Sequence, residues 1–157
     1  MSNLLNLAEA VDLGIEKEKK RREFYALVAE NFEQKEMKEL FTKLRDWESG
    51  HIEKFSQIRD SLKELETVGT YPGEYEAFMQ AFIDDKLYKD ISADMFKEKV
   101  KSPIDAINYG MSFEKDAIIF FNEILNYIKE PHKEVMQKLI DEEKKHLIYL
   151  SDLRSKV

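Results

Sequence analysis

Cysteine is absent from the 157 residues, and glycine and proline are scarce, at five and three. Without cysteine there is no disulfide framework, no iron–sulfur cluster and no thiolate zinc site. The absence is compatible with a reducing cytosol, and the expected location is cytoplasmic. So few turn formers in a chain of this length exclude a many-stranded sandwich and point to long helices. Long hydrophobic runs are also missing. The longest, Ala117 to Phe121, falls far short of the ~20 residues that a membrane span requires. Met1 to Leu13 contains acids and lacks a basic leader and an unbroken apolar stretch, so neither a signal peptide nor a membrane segment is expected. Positive charge is in deficit, 25 Lys and Arg against 32 Asp and Glu for a net charge of −7, which argues against nucleic acid as a partner.

What is present, 43% apolar and 36% charged residues, suits one all-α domain spanning residues 1–157, large enough to bury a core without staples. Four segments carry helical periodicity. The first runs from about Leu5 to Phe32, with Val11, Ile15, Glu18, Tyr25 and Phe32 along one stripe. The second runs from about Gln34 to Glu66 and alternates steps of three and four through Phe41, Leu44, Glu48, His51 and Phe55. The third opens at Ser102-Pro103-Ile104-Asp105, a hydroxyl N-cap followed by proline at the first helical position and an acid in the first turn. The fourth follows Pro131 and carries Leu139, Glu143, His146 and Leu150.

Short breaks near Phe32–Gln34 and Glu130–His132 predict two antiparallel helical hairpins. The long connection, roughly Thr67 to Lys101, begins with Gly69-Thr70-Tyr71-Pro72-Gly73 and then reads as partly helical. It is expected to be the crossover of a four-helix bundle, with Phe78, Phe82 and Met95 either covering the bundle or sealing a dimer.

Two of the three histidines stand three residues after a glutamate, as Glu48-x-x-His51 and Glu143-x-x-His146. These pairs are 95 residues apart, and two further glutamates, Glu18 and Glu114, are 96 apart. The repeat extends beyond them: Gly14 and Phe24 align with Gly110 and Phe120, and Lys43, Asp46 and Arg59 with Lys138, Asp141 and Arg154. The halves read as two copies of one hairpin about an approximate two-fold axis. Glycines one turn before each lone glutamate suit a close approach of helices.

Residues i and i+3 on a helix lie about 60° apart around the axis and about 4.5 Å along it, so both side chains reach one ion. Each Glu-x-x-His falls inside an apolar stripe, where an unpartnered polar group is costly. Four carboxylates and two imidazoles in one pocket suit a pair of transition metals, and the four negative charges balance two divalent ions. Oxygen-rich coordination with one imidazole per ion favours iron or manganese, as a like or mixed pair, over copper or a structural zinc. The candidate ligands are Glu18, Glu48, His51, Glu114, Glu143 and His146.

Tyr25 follows Glu18 by seven residues, about 20° off the same line and about 10 Å further along. Helical side chains lean toward the N-terminus, which turns its phenol back toward the ligands. It is read as tuning the site, against the plainer reading of a core tyrosine. Its repeat mate is Phe121. His132 reads as a surface residue, Asp46 and Asp141 as exposed, and the basic run Lys17, Lys19, Lys20, Arg21 and Arg22 as a solvated face.

With these residues in place, the chain resembles the rubrerythrin group of ferritin-like di-iron proteins. The matching pieces are Ile15-Glu16-Lys17-Glu18 through Phe24-Tyr25, Glu48-x-x-His51, Phe113-Glu114-Lys115-Asp116 through Phe120-Phe121, and Glu142-Glu143-Lys144-Lys145-His146. They cover nearly the whole chain in the family's order. The resemblance implies a ferritin-like four-helix bundle, a carboxylate-bridged di-iron centre, chemistry with hydrogen peroxide or dioxygen, and a homodimer.

Two departures qualify it. The family's Cys-bound iron domain has no counterpart here, so electrons are expected from a separate donor protein or a small reductant. The family's extra glutamate, one turn from the third-helix ligand, is also missing: the neighbouring turns offer Met111 and Ala117. The expected activity is that of a di-iron oxidoreductase acting on peroxide or dioxygen. The alternatives are iron binding or ferroxidase iron handling without repeated turnover, and a metal-free bundle with a decayed site.

Overall fold

From Leu7 to Glu64 a single break interrupts the helical pattern, and there the chain folds back on itself. In the computed structural model, which describes residues 7–64, 81 and 92–157, the two arms are α1 (Leu7–Asn31) and α2 (Lys35–Glu64). Lys38 Nζ donates to the carbonyl of Ala29 at 2.8 Å, supplying a proton donor and a positive charge to the carbonyl-rich end of α1. A short helix, α3 (Ala93–Lys99), begins at Ser92, whose hydroxyl accepts from Met95 N. Helix α4 (Pro103–Leu125) starts as its sequence predicts, with Ser102 accepting from Asp105 N at 3.2 Å and proline in the first turn. Helix α5 (His132–Arg154) completes the second hairpin.

The architecture is all-α: α1 packs on α2, α4 on α5, and across the bundle α1 meets α4 and α2 meets α5. That is the arrangement two repeated hairpins require. Met95 and Phe96 of α3 are buried against the bundle, with Phe96 5.8 Å from Phe24 between ring centres. Of the two roles open to Met95, the structure shows it covering the bundle. Phe78, Phe82 and the Gly69–Gly73 segment lie outside the described residues.

The apolar core divides into two clusters. One holds Tyr25, Phe41, Met111 and Leu150; the other holds Val11, Phe55, Phe121 and Leu139. Along every long helix the residues between these sets are the charged ones: Glu18 and Arg21, Glu48 and His51, Glu114, Glu143 and His146. The bundle therefore clamps a polar layer between two greasy plugs, each large apolar side chain contributing ~1.5–3 kcal/mol on burial. None of the described helices is long and apolar enough to cross a membrane.

Candidate metal centre

Each long helix delivers its polar side chains at mid-length, where both neighbouring turns are buried. Glu18, Glu48, Glu114 and Glu143 are wholly buried, and His51 and His146 are 3% exposed. Their donor atoms form two overlapping groups, Glu18–Glu48–His51–Glu143 and Glu48–Glu114–Glu143–His146, within each of which all ligand atoms lie inside 4.8 Å of one another. Glu48 and Glu143 belong to both. All six residues predicted from the spacing are thus brought to one place.

Hydrogen bonding leaves this cluster incomplete. His51 Nδ1 lies 2.6 Å from Glu143 Oε1 and its Nε2 2.5 Å from Glu142 Oε2. His146 Nδ1 is 3.2 Å from Glu143 Oε2. Yet Glu18 Oε2 and Glu114 Oε2 accept no hydrogen bond, and Glu18 Oε1 and Glu48 Oε1 have only ion-pair contacts, to Arg21 Nη2 and, at 3.2 Å, to His146 Nδ1. Buried carboxylate oxygens without donors are expensive unless a cation meets them. The donor set therefore fits a dinuclear site of hard-to-borderline ions, each held by carboxylates and one imidazole.

One cation is already part of the protein. Arg21, wholly buried, places Nη2 2.9 Å from Glu48 Oε2 and 3.1 Å from Glu143 Oε1 and against Glu18 Oε1, with Nε 3.8 Å from Glu114 Oε1. Its Nη1 donates to the carbonyl of Phe113 at 3.2 Å. This corrects the reading of Arg21 as part of a solvated basic face. Lys19 and Lys20 are exposed as that reading requires, whereas Lys17 reaches Asp116 on α4 at 3.3 Å, both side chains largely covered.

The electrostatics follow from burial and Arg21. Burial pushes Glu18 and Glu114 well above the usual carboxylate range; Arg21 works against the shift, while neighbouring carboxylates reinforce it. Burial would raise Glu48 and Glu143 too, but the Arg21 charge and hydrogen bonds outweigh it and hold both low. Burial alone would lower the imidazoles. Instead the hydrogen bond to Glu143 raises His51, and the carboxylates around His146, Glu114 foremost, push it up to about 12. In the metal-free protein both imidazoles are shifted toward the charged form, which replaces part of the positive charge that metals would bring.

Tyr25 donates to Glu114 Oε1 at 2.6 Å, and burial and that carboxylate hold its phenol well above its ordinary value. The expected reach of Tyr25 to the ligands is met. Asp46 and Asp141 are exposed, and His132, half-buried at the start of α5, lies apart from the ligand groups. Outside the ligands, Trp47 stacks on His146 with ring centres 5.1 Å apart, and His146 stacks on His51 at 5.4 Å, both at 11°. Trp47, Glu142, Lys145, His146 and Tyr149 line an open cavity of about 170 Å³ that reaches the site at His146.

No sequence profile of a known family matches the chain, and no curated protein matches it. A crystal structure does: a Thermotoga maritima protein provisionally assigned as ferritin-like and diiron-carboxylate. It superposes with a TM-score of 0.73 at 21% identity, over 99% of this chain and 98% of that one. The fold is ferritin-like. At that identity the likeness speaks for the fold, and the case for metal rests on the cluster of buried carboxylates and imidazoles itself.

Arg21, Glu142 and Trp47 escaped the sequence reading. A signal for Arg21 existed: it stands three residues after Glu18 and four before Tyr25, on the buried stripe, and its repeat mate is the buried Ala117. Glu142 reaches His51 from the opposite hairpin, a contact that spacing along one helix does not reveal.

Proposed function

We propose that the chain is a non-haem di-iron protein that acts as an oxidoreductase on hydrogen peroxide or dioxygen. The observation that carries the reading is the pair of ligand groups sharing Glu48 and Glu143 in a buried layer short of hydrogen-bond donors. Glu18 and His51 would complete one iron position, Glu114 and His146 the other. Two ferrous ions bound there supply one electron each to an oxidant. The protein's part is to hold the ligands rigidly between two apolar plugs and to keep bulk water out. Tyr25 fixes the orientation of Glu114 and holds a proton at its phenol oxygen beside the site. Small oxidants enter by the cavity at Trp47 and His146. Electrons come from a separate donor protein or small reductant, and we place the protein in the cytoplasm as a homodimer.

A second reading, iron uptake and ferroxidase handling without repeated turnover, is favoured by Glu142. Its carboxylate is 42% exposed on the wall of the cavity while touching His51, a suitable relay for an entering cation. Stopped-flow oxidation of the anaerobically iron-loaded protein, with ascorbate present, separates the two. Consumption of many equivalents of peroxide or dioxygen per chain supports the enzyme; one stoichiometric oxidation followed by iron release supports handling. Absence of any iron-dependent oxidation sinks both.

A further inference from the structure

The two halves of the site are unequal. About the approximate two-fold, Arg21 on α1 corresponds to Ala117 on α4. Nη2 contacts Glu18 and the two shared carboxylates, Glu48 and Glu143, whereas Glu114, the unshared carboxylate of the other group, is met only by Nε at 3.8 Å. In the other group the contacts come from its own imidazole, with His146 Nδ1 3.2 Å from Glu48 Oε1 and 3.5 Å from Glu114 Oε1, and Glu114 Oε2 accepts no hydrogen bond. The guanidinium thus crowds the Glu18 side of the site more closely than the Glu114 side.

We propose that Arg21 is a built-in cation that stands in for one metal and makes the two positions fill in order. The inference deepens the dinuclear reading and depends on it. The first divalent transition-metal ion enters the group of Glu48, Glu114, Glu143 and His146 with Arg21 in place. The second enters beside Glu18 only when the guanidinium withdraws. Arginine cannot make room by losing its proton, as a lysine can. It must break its contacts to three carboxylates and to the Phe113 carbonyl. Retained, it leaves two divalent ions and one guanidinium against four carboxylates, an uncompensated charge in a dry layer. The second ion is therefore expected to bind about 100-fold or more weakly than the first.

The test is a manganese(II) titration of the full chain, with free ion counted by electron paramagnetic resonance and the Trp47 fluorescence followed in parallel. Wild type should show one tight step, seen by Trp47 through its stacked neighbour His146, and a second at least about 100-fold weaker. Arg21→Met, apolar and of similar length, should bring the two steps within about tenfold of each other. Glu18→Ala should leave the tight step in place, and Glu114→Ala should remove it. This pair decides the matter should Arg21→Met fail to fold, as checked by circular dichroism. Two equally tight ions in wild type, or loss of the tight step in Glu18→Ala but not in Glu114→Ala, overturns the ordering and leaves the dinuclear reading standing. No binding of manganese or ferrous iron by any form overturns both.

Discussion

A methyl group added at Gly14 would lie 2.6 Å and 2.7 Å from Cε1 and Cζ of Phe121 and 3.0 Å from Cε1 of Phe120. Real carbon contacts do not come that close, so a ring or a helix must move. Phe121 has little freedom to do so: it is 1% exposed, stacked on Phe55 at 4.2 Å and 7°, and held edge-on by Phe120 at 5.5 Å. At the repeat-related Gly110 the same methyl would meet Leu150 at 3.3 Å and Tyr25 at 3.4 Å, contacts that a shift of a few tenths of an ångström relieves. Alanine gains about 1 kcal/mol over glycine inside a helix, and overpacking a dense core costs about 1–3 kcal/mol. The 2.6 Å approach places Gly14 in the upper half of that cost, so Gly14→Ala should destabilise by about 1–2 kcal/mol net, and Gly110→Ala should fall within about 1 kcal/mol of wild type. For a chain of this size that lowers the Tm of Gly14→Ala by about 2–8 °C, read as loss of ellipticity on heating the metal-free protein. A Gly14→Ala variant as stable as wild type, or no less stable than Gly110→Ala, would refute the close approach of α1 to α4 at this point.

Four further outcomes follow from the site. Tyr25→Phe removes the donor to Glu114, whose other oxygen already lacks one; urea unfolding of the metal-free protein should show a loss of about 1–3 kcal/mol, and an unchanged midpoint would contradict the buried hydrogen bond. Trp47 is the sole tryptophan and stacks on His146, so metal addition should change the intrinsic fluorescence; no change in wild type, or a change that persists in His146→Gln, would contradict the stacking. Glu142→Gln should weaken the hold on His51 and slow metal entry through the cavity by several-fold in stopped-flow mixing, whereas an unaltered rate would remove Glu142 from the entry path.

The fourth outcome is a pH dependence of the metal-free protein. His146 is raised from 6.5 to about 12, so the stability it contributes is present below about pH 6.5 and lost as pH rises toward 12. The raised Glu18 and Glu114 act in the same direction above 4.5. Glu48 and Glu143, held low, contribute above 4.5 and lose that contribution as pH falls further. Metal-free protein should therefore be most stable near about pH 4.5 and fall away on both sides, more steeply above about pH 6.5. A Tm that rises steadily from pH 6.5 to 10 would contradict these shifts.

Much of this was legible in the chain because helices turn spacing into position. Glu48-x-x-His51 and Glu143-x-x-His146 lie on apolar stripes, and the repeat ties them to Glu18 and Glu114; those facts were enough to assemble the cluster before any coordinates. Ser102 and Pro103 marked the start of α4 to the residue, because capping is a local interaction. Arg21 was hidden by its neighbours. Among five basic residues between positions 17 and 22 its charge argues for solvent, and only the phase of the helix places it inward. The Trp47–His146–His51 stack and the reach of Glu142 depend on how α2 and α5 register against each other, which no single-helix pattern carries. The α3 segment read only as partly helical, since seven residues hold too few turns for a clear period.

The most direct test of the dinuclear assignment is the amount of iron bound at saturation. Anaerobic equilibrium dialysis against excess ferrous iron, followed by elemental analysis, should give two ions per chain for wild type. Because Glu48 and Glu143 belong to both ligand groups, Glu48→Ala or Glu143→Ala should weaken both ions together, while Glu114→Ala affects chiefly the ion at His146. Iron binding that is absent in wild type, or untouched by either shared-ligand substitution, would contradict the assignment of the buried Glu and His layer as a metal centre.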